Sequence, residues 1–300
     1  MRTARTLVVA ATLALVAGTT IGLASVAAAP PAPVACNPAQ GACWRPPLNA
    51  RWQYQLQPMA QYASTGGVNV DICAVPYTGG ACVRPAVFDF DLYDVDAVTP
   101  NTTGTAAVHA RGAKAICYVS AGTWEDWRPD AGQFPASVKG SKNGWPGERW
   151  LDIRQTSILI PIMDARVAKC RQAGFDGVEW DNVDGYSNRS GFPLAYADQL
   201  TYNSMLANLA HQYGLTVALK NDMGQVGDLK PYFDYAINEQ CFQYRECDYP
   251  SPGLPDWTAS GKAVFNVEYK KLNCPQANTW NFGSILKSLD LFDTPWLPCR

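Results

Sequence analysis

The sequence predicts an α/β protein, a (β/α)8 TIM barrel stapled by disulfides. Eight short strand patterns alternate with helices or long loops over about 250 residues. Carboxylates, amides and a lysine gather at the C-terminal ends of those strands, the rim where such barrels keep their reactive groups. The ten cysteines all lie beyond residue 35, which fits export to an oxidising compartment. A doubly wound open sheet is the alternative, although no GxGxxG or Walker sequence follows any strand.

Residues 1–28 read as a secretory signal peptide. Arg2 and Arg5 precede an apolar run from Leu7 to about Leu23, and small residues end at Ala27-Ala28-Ala29. An uncleaved anchor is the other reading of this stretch, and no later stretch is apolar enough to span a bilayer. Residues 29–50, rich in Pro and Ala, form an extended leader, and the barrel domain occupies 51–300. Trp52-Gln53-Tyr54-Gln55-Leu56 is the first strand, followed by an insert whose Cys73 and Cys82 could close a loop. Val87 to Tyr93 alternates strictly, with Asp89 and Asp91 on one face. Lys114 to Ser120 is the third strand. A long loop rich in Trp, Gly and Pro runs from Ala121 to Trp150, and loops of that length inside a domain are usually functional.

Thr156 to Ala173 has helical spacing and ends at Gly174, a C-cap. The fourth strand leads into Glu179-Trp180-Asp181-Asn182-Val183-Asp184, where the period of two puts Glu179 and Asp181 on one face and Trp180 in the core. Ala195 to Tyr213 is a second helix. Thr216 to Asn221, Tyr235 to Gln240 and Ala263 to Tyr269 are the next strands. Ser288 to Phe292 is expected as the eighth, after a helix from about Gln276 to Lys287.

Removing Arg2 and Arg5 leaves 22 − 26, a net charge of −4, and the chain has no Lys/Arg run. That excludes a nucleic-acid partner and suits a neutral or cationic polymer. The cysteines read as staples: Cys36 with Cys43, Cys73 with Cys82, Cys241 with Cys247 and Cys274 with Cys299 are plausible pairs, leaving Cys117 and Cys170. His109 and His211 have no Cys or His partner at zinc spacing. Calcium held by Asp176, Glu179, Asp181 and Asp184 is an alternative use of the acidic stretch. Asn101-Thr102-Thr103 and Asn188-Arg189-Ser190 match the glycosylation sequon.

The strand ends bring together Asp89, Asp91, Tyr118, Asp181, Lys220, Asn221, Glu239 and Glu268. A ring of this kind suits a substrate with many hydroxyls or amines, and two carboxylates flanking a sugar can hydrolyse a glycosidic bond. A Ser or Cys triad fits poorly, with no GxSxG and two histidines. Ten tryptophans, with Trp124, Trp127, Trp145 and Trp150 in the long loop, offer flat rings for sugars or for the core.

These motifs, in order, resemble glycoside hydrolase family 114, the endo-α-1,4-polygalactosaminidases, a group related to the spherulin-4-like proteins. The resemblance rests on Trp52-Gln53-Tyr54-Gln55-Leu56, Asp89 to Asp94, Cys117 to Gly122, Gly174 to Gly177 with Trp180 to Asp184, Leu219-Lys220-Asn221 and Asn238 to Cys241. It implies a barrel that cleaves galactosamine-containing polymers, with Asp181 and Glu239 as the catalytic acids. Asp181 is favoured as nucleophile or base and Glu239 as proton donor. Asp89, Asp91, Tyr118, Lys220, Asn221 and Glu268 would bind substrate, a galactosamine-rich cationic polysaccharide. Neither a cofactor nor a metal is expected, nor a membrane partner once the signal is cleaved. The rival reading is a non-catalytic sugar-binding protein on the same barrel.

Overall fold

The computed structural model describes residues 29–37, 39 and 43–300; the expected signal peptide, 1–28, lies outside them. The chain runs through β1 (Trp52–Gln55), β2 (Val87–Asp91), α1 (Thr102–Ala110), β3 (Lys114–Ser120), β4 (Thr123–Glu125), β5 (Lys139–Lys142) and β6 (Glu148–Leu151). It continues with α2 (Thr156–Ala173), β7 (Gly177–Asp181), α3 (Tyr196–Gln212), β8 (Thr216–Lys220), α4 (Val226–Leu229) and β9 (Tyr235–Glu239). Then follow α5 (Cys241–Tyr244), α6 (Leu254–Ala259), β10 (Val264–Glu268), α7 (Cys274–Thr279), β11 (Gly283–Leu286) and β12 (Leu297–Pro298).

Nine strands form one curled sheet in the order β1-β2-β3-β7-β8-β9-β10-β11-β12, parallel throughout except for β12. The order follows the chain without reversal, so the sheet has no switch point of the doubly wound kind. Its first strand bends round to meet its last ones. Trp52 of β1 stacks on Phe265 of β10 with centroids 5.1 Å apart, and its indole donates to the Gly283 carbonyl of β11 at 2.7 Å. Among the described residues, no backbone ladder joins β1 to β11.

The period of two explains the two sides of the sheet. Val178 and Trp180 of β7 face outward into the helices, where the Trp180 indole donates to the Leu206 carbonyl of α3. Glu179 and Asp181 face inward. Helices α2 and α3 lie close to the expected bounds, and Gly174 ends α2 at φ 91°, a left-handed turn that costs a β-carbon residue more than glycine. The Ala121–Trp150 loop folds its own sheet, in the order β4-β6-β5.

The eighth strand departs from expectation. It is Gly283–Leu286, earlier in the chain than Ser288–Phe292, which carries no strand and exposes Leu289 and Phe292. The helix before it, α7, ends at Thr279 rather than Lys287. Gly283, inside the expected helix, instead opens this strand, where a β-carbon would meet the Ala50 carbonyl at 2.6 Å. Residues 31–34 are held against the domain. Asn208 of α3 brackets them through Val34 N and the Ala32 carbonyl, each at 2.8 Å, and the Tyr232 hydroxyl reaches the Pro31 carbonyl at 2.9 Å.

All five cysteine pairs are bonded, the fifth joining Cys117 of β3 to Cys170 of α2 across 53 residues. Asn101 is the buried N-cap of α1, accepting from Gly104 N at 2.8 Å, so its sequon is closed to a glycan in the folded chain. No described helix is long and apolar enough to cross a membrane. Replacing Cys117 and Cys170 together by Ala is expected to lower the unfolding free energy by about 4 kcal/mol, since the bridge closes a long loop. Urea unfolding measures this, and a loss below about 1 kcal/mol would show that α2 docks on β3 without it.

Candidate active site

The site is built around Lys220, the last residue of β8. Its ammonium is buried and donates to the Tyr54 hydroxyl at 2.8 Å. It lies 3.0 Å from Glu179 Oε1, 3.1 Å from Asp181 Oδ1 and 3.4 Å from Glu239 Oε2. Burial alone would push the lysine down, but Asp181, Glu179 and Glu239 together hold it well above its ordinary value. Each carboxylate has further donors. Tyr118 donates to Asp181 Oδ2 at 2.8 Å and Asn182 to the same oxygen at 3.2 Å. Asn221 donates to Glu239 Oε2 at 3.1 Å, and the Tyr269 hydroxyl donates to Oε1.

Three strands end on residues followed by a left-handed turn: Asn182 at φ 60°, Asn221 at φ 49° and Gln240 at φ 63°. Such a turn costs a non-glycine residue roughly 1–2 kcal/mol. It folds the chain back over the rim, so that Asn182 and Asn221 can donate to the acids beside them. Gly122 serves the same rim, because a β-carbon there would fall 1.6 Å from the Asn182 carbonyl.

Above Lys220 opens a cleft of about 480 Å³. Seven carboxylates line it: Asp91, Glu125, Glu148, Asp181, Asp184, Glu239 and Asp290. The cations on its wall are Arg128 and Lys220, so the formal balance is 2 − 7, or −5. Arg128 forks onto Glu125 at 2.8 and 2.9 Å and reaches Asp91 at 2.7 Å. Trp127, Trp145 and Trp150 also line the cleft, the first two exposed, while Trp124 is half-buried with its indole on the Ala131 carbonyl.

Among the residues expected at the site, Asp181, Glu239, Lys220, Tyr118, Asn221 and Asp91 meet in this cleft. Asp89 and Glu268 do not line it. Asp89 shares the inward face with Asp91 but lies deeper, fully buried beside Glu179, and burial with that neighbouring carboxylate raises it well above the usual range. Glu268 is buried on the other face of β10, accepting from Phe242 N at 3.0 Å and Asn266 at 3.1 Å. Tyr269 reaches the cleft instead. Strand parity carries that signal, since Phe265 faces inward and Tyr269 is four residues on. Asp176 sits at the opposite end of β7, bound to Lys114 at 2.7 Å and His109 at 2.7 Å, so it cannot share a calcium ion with Asp181 and Asp184. Among the described residues no acidic, His or Cys cluster has metal-binding geometry.

The chain matches the model of glycoside-hydrolase family GH114 over residues 34–300. It belongs to that family. Membership makes it a glycosyl hydrolase. It is similar to Ega3 of Aspergillus fumigatus, solved in complex with galactosamine, at 30% identity over 84% of this chain and 96% of that one, with a TM-score of 0.68. The glycoside hydrolase domain of PelA from Pseudomonas aeruginosa shares the fold at 13% identity, covering 84% of this chain and 98% of that one, with a TM-score of 0.56. No curated protein sequence matches the chain.

Within this GH114 site, replacing Lys220 by Met is expected to lower unfolding free energy at pH 7 by about 3–5 kcal/mol, because three carboxylates lose their shared cation. The lysine's raised folded value sets the sign with pH. Its contribution is complete below the ordinary lysine value and is lost as pH rises through the higher folded one. Urea midpoints of the unmodified protein should therefore hold up to about pH 10 and fall above it. Equal midpoints for the two proteins at pH 7 would contradict the role given to Lys220.

Proposed function

We propose that the chain is a secreted, retaining endo-glycosidase of α-1,4-linked galactosamine polymers, with Asp181 as nucleophile and Glu239 as general acid and base. The observation that carries this reading is the Lys220 ammonium between the two acids. Its distances cap the separation of Asp181 Oδ1 and Glu239 Oε2 at 3.1 plus 3.4, or 6.5 Å. Retaining enzymes hold their carboxyl groups about 5–5.5 Å apart, whereas inverting ones need about 6.5–9.5 Å to admit a water.

In the first step an Asp181 oxygen attacks the anomeric carbon, the glycosidic C–O bond breaks, and the leaving oxygen takes the proton that Glu239, in its acid form, has taken up from solvent. In the second, Glu239 takes a proton from water, whose oxygen attacks the same carbon and releases Asp181. Asp181 is the more enclosed of the two, its carboxylate 17% exposed and fixed by Tyr118, Asn182 and Lys220. Glu239, 26% exposed, is more open to the water it must activate. Tyr118, Lys220 and Asn221 act on substrate through these acids, and Asp91 through Arg128.

Substrate class follows from charge and kinship. A cleft with a formal balance of −5 attracts an amino-sugar polymer and concentrates it at the site. Ega3, the similar protein named above, is seen with galactosamine. The five disulfides and the Arg2-to-Ala29 pattern support export, with residues 1–28 removed, 29–50 as a docked leader and 51–300 as the catalytic unit. The contacts of Trp52 with Phe265 and Gly283 support complete closure of the sheet into an eightfold barrel.

Oligosaccharide release from partly deacetylated α-1,4-galactosaminan tests the reading. Asp181→Asn and Glu239→Gln are each expected to lower kcat by about 10³-fold while binding of the polymer persists. If either variant kept more than about a tenth of the activity, that residue would lose its role.

A further inference from the structure

We propose that Glu148 receives an ammonium group of the substrate beside Asp181 and is a specificity-determining residue of the cleft. This rests on the amino-sugar reading above. Of the seven cleft acids, Asp91 and Glu125 share Arg128, and Asp181 and Glu239 share Lys220. Glu148, Asp184 and Asp290 form no ion pair with a described residue. Among these three Glu148 is the most enclosed, only 9% exposed. A carboxylate that deep is costly to ionise without a cation; among the described residues none pairs with it, and the cleft it lines can admit one.

Its two oxygens differ. Oε2 accepts from the Thr123 hydroxyl at 3.0 Å and from Asn143 at 2.6 Å. Oε1 accepts from no described residue. The anchored oxygen is also tied to the nucleophile. Thr123 gives its proton to Glu148, so the 2.6 Å contact between the two hydroxyls has Ser120 donating to Thr123. Asn182 in turn donates to Ser120 at 3.0 Å and to Asp181 Oδ2 at 3.2 Å. Glu148 is thus held in register with Asp181 by three side chains, its free oxygen turned to the cleft.

Burial, with Glu125 on β4 and Asp181 on β7 adding like charge, raises the Glu148 carboxyl to about 7. Arg128, the nearby cation, is committed to Glu125 and Asp91. Near neutral pH a bound ammonium therefore drives Glu148 to ionise and a proton leaves to solvent. An N-acetylated residue brings a neutral amide that offers no such charge, and the buried acid stays unpaired.

Glu148→Gln keeps the oxygen that accepts from Thr123 and Asn143 and removes the charge. Calorimetric titration with deacetylated α-1,4-galactosamine oligosaccharides at pH 7, in two buffers of different ionisation heat, tests the proposal. The unmodified protein is expected to release protons on binding. The variant should release markedly fewer and bind about tenfold more weakly, with its affinity for N-acetylated oligosaccharides within about twofold of the unmodified protein's. In turnover the loss should appear in KM rather than kcat. Equal proton release by the two proteins, or the same loss of affinity for both oligosaccharides, would overturn it, as would no binding by the unmodified protein. Binding without cleavage by the unmodified protein would overturn the reaction assigned above, and the calorimetric comparison would still decide Glu148.

Discussion

A single buried ammonium, Lys220 Nζ, sets the terms for the rest of the site. It lies within 3.4 Å of Glu179, Asp181 and Glu239 and donates to Tyr54. Without it, three carboxylates at the head of an apolar sheet would repel one another and lose their hydration together. With it, acids from β7 and β9 are drawn together across the strand between them. The parallel order of the sheet makes this possible, since Asp181, Lys220 and Glu239 all end adjacent strands at the same rim.

Polar groups continue below that rim. The Tyr54 hydroxyl donates in turn to Glu179 at 3.0 Å, and Asp89 lies fully buried beside that carboxylate. Large rings fill the remaining space, with Trp52, Tyr54, Tyr235 and Phe265 in edge, tilted or stacked contact. This floor keeps Lys220 from water, while the rim above it remains open. The insert between β3 and α2 builds the wall, contributing Glu125, Trp127, Arg128, Trp145, Glu148 and Trp150. Asp181, Lys220 and Glu239 thus sit on the sheet and much of the cleft wall on the insert.

Much of this was legible in the sequence, for physical reasons. Strand parity placed Glu179 and Asp181 inward and Trp180 in the core, and the apolar spacing of residues 156–173 marked α2 almost to the residue. Short spacings made three cysteine pairs plausible, and Cys274 with Cys299 was plausible as a tie for the C-terminus, but spacing does not fix connectivity. Other features depend on three-dimensional approach. Asp89 and Asp91 look alike in a strictly alternating strand, and only depth separates the buried one from the one on the rim. Glu268 looked more reactive than Tyr269, although parity favours the tyrosine. Ser288–Phe292 alternates like a strand but lies beyond the one that pairs. Glu148 carried no signal at all, because its place depends on how the insert folds back over β7.

The proposed two-step displacement through a covalent intermediate requires Lys220 to hold Asp181 and Glu239 close together. The anomeric configuration of the first product tests that displacement most directly. Proton NMR, recorded in the first minutes of galactosaminan cleavage and before mutarotation, reads it. The new reducing end is expected to appear first as the α-anomer, retained from the substrate linkage. A β-anomer formed first would mean a single displacement by water, which would contradict the separation and the roles given to the two acids.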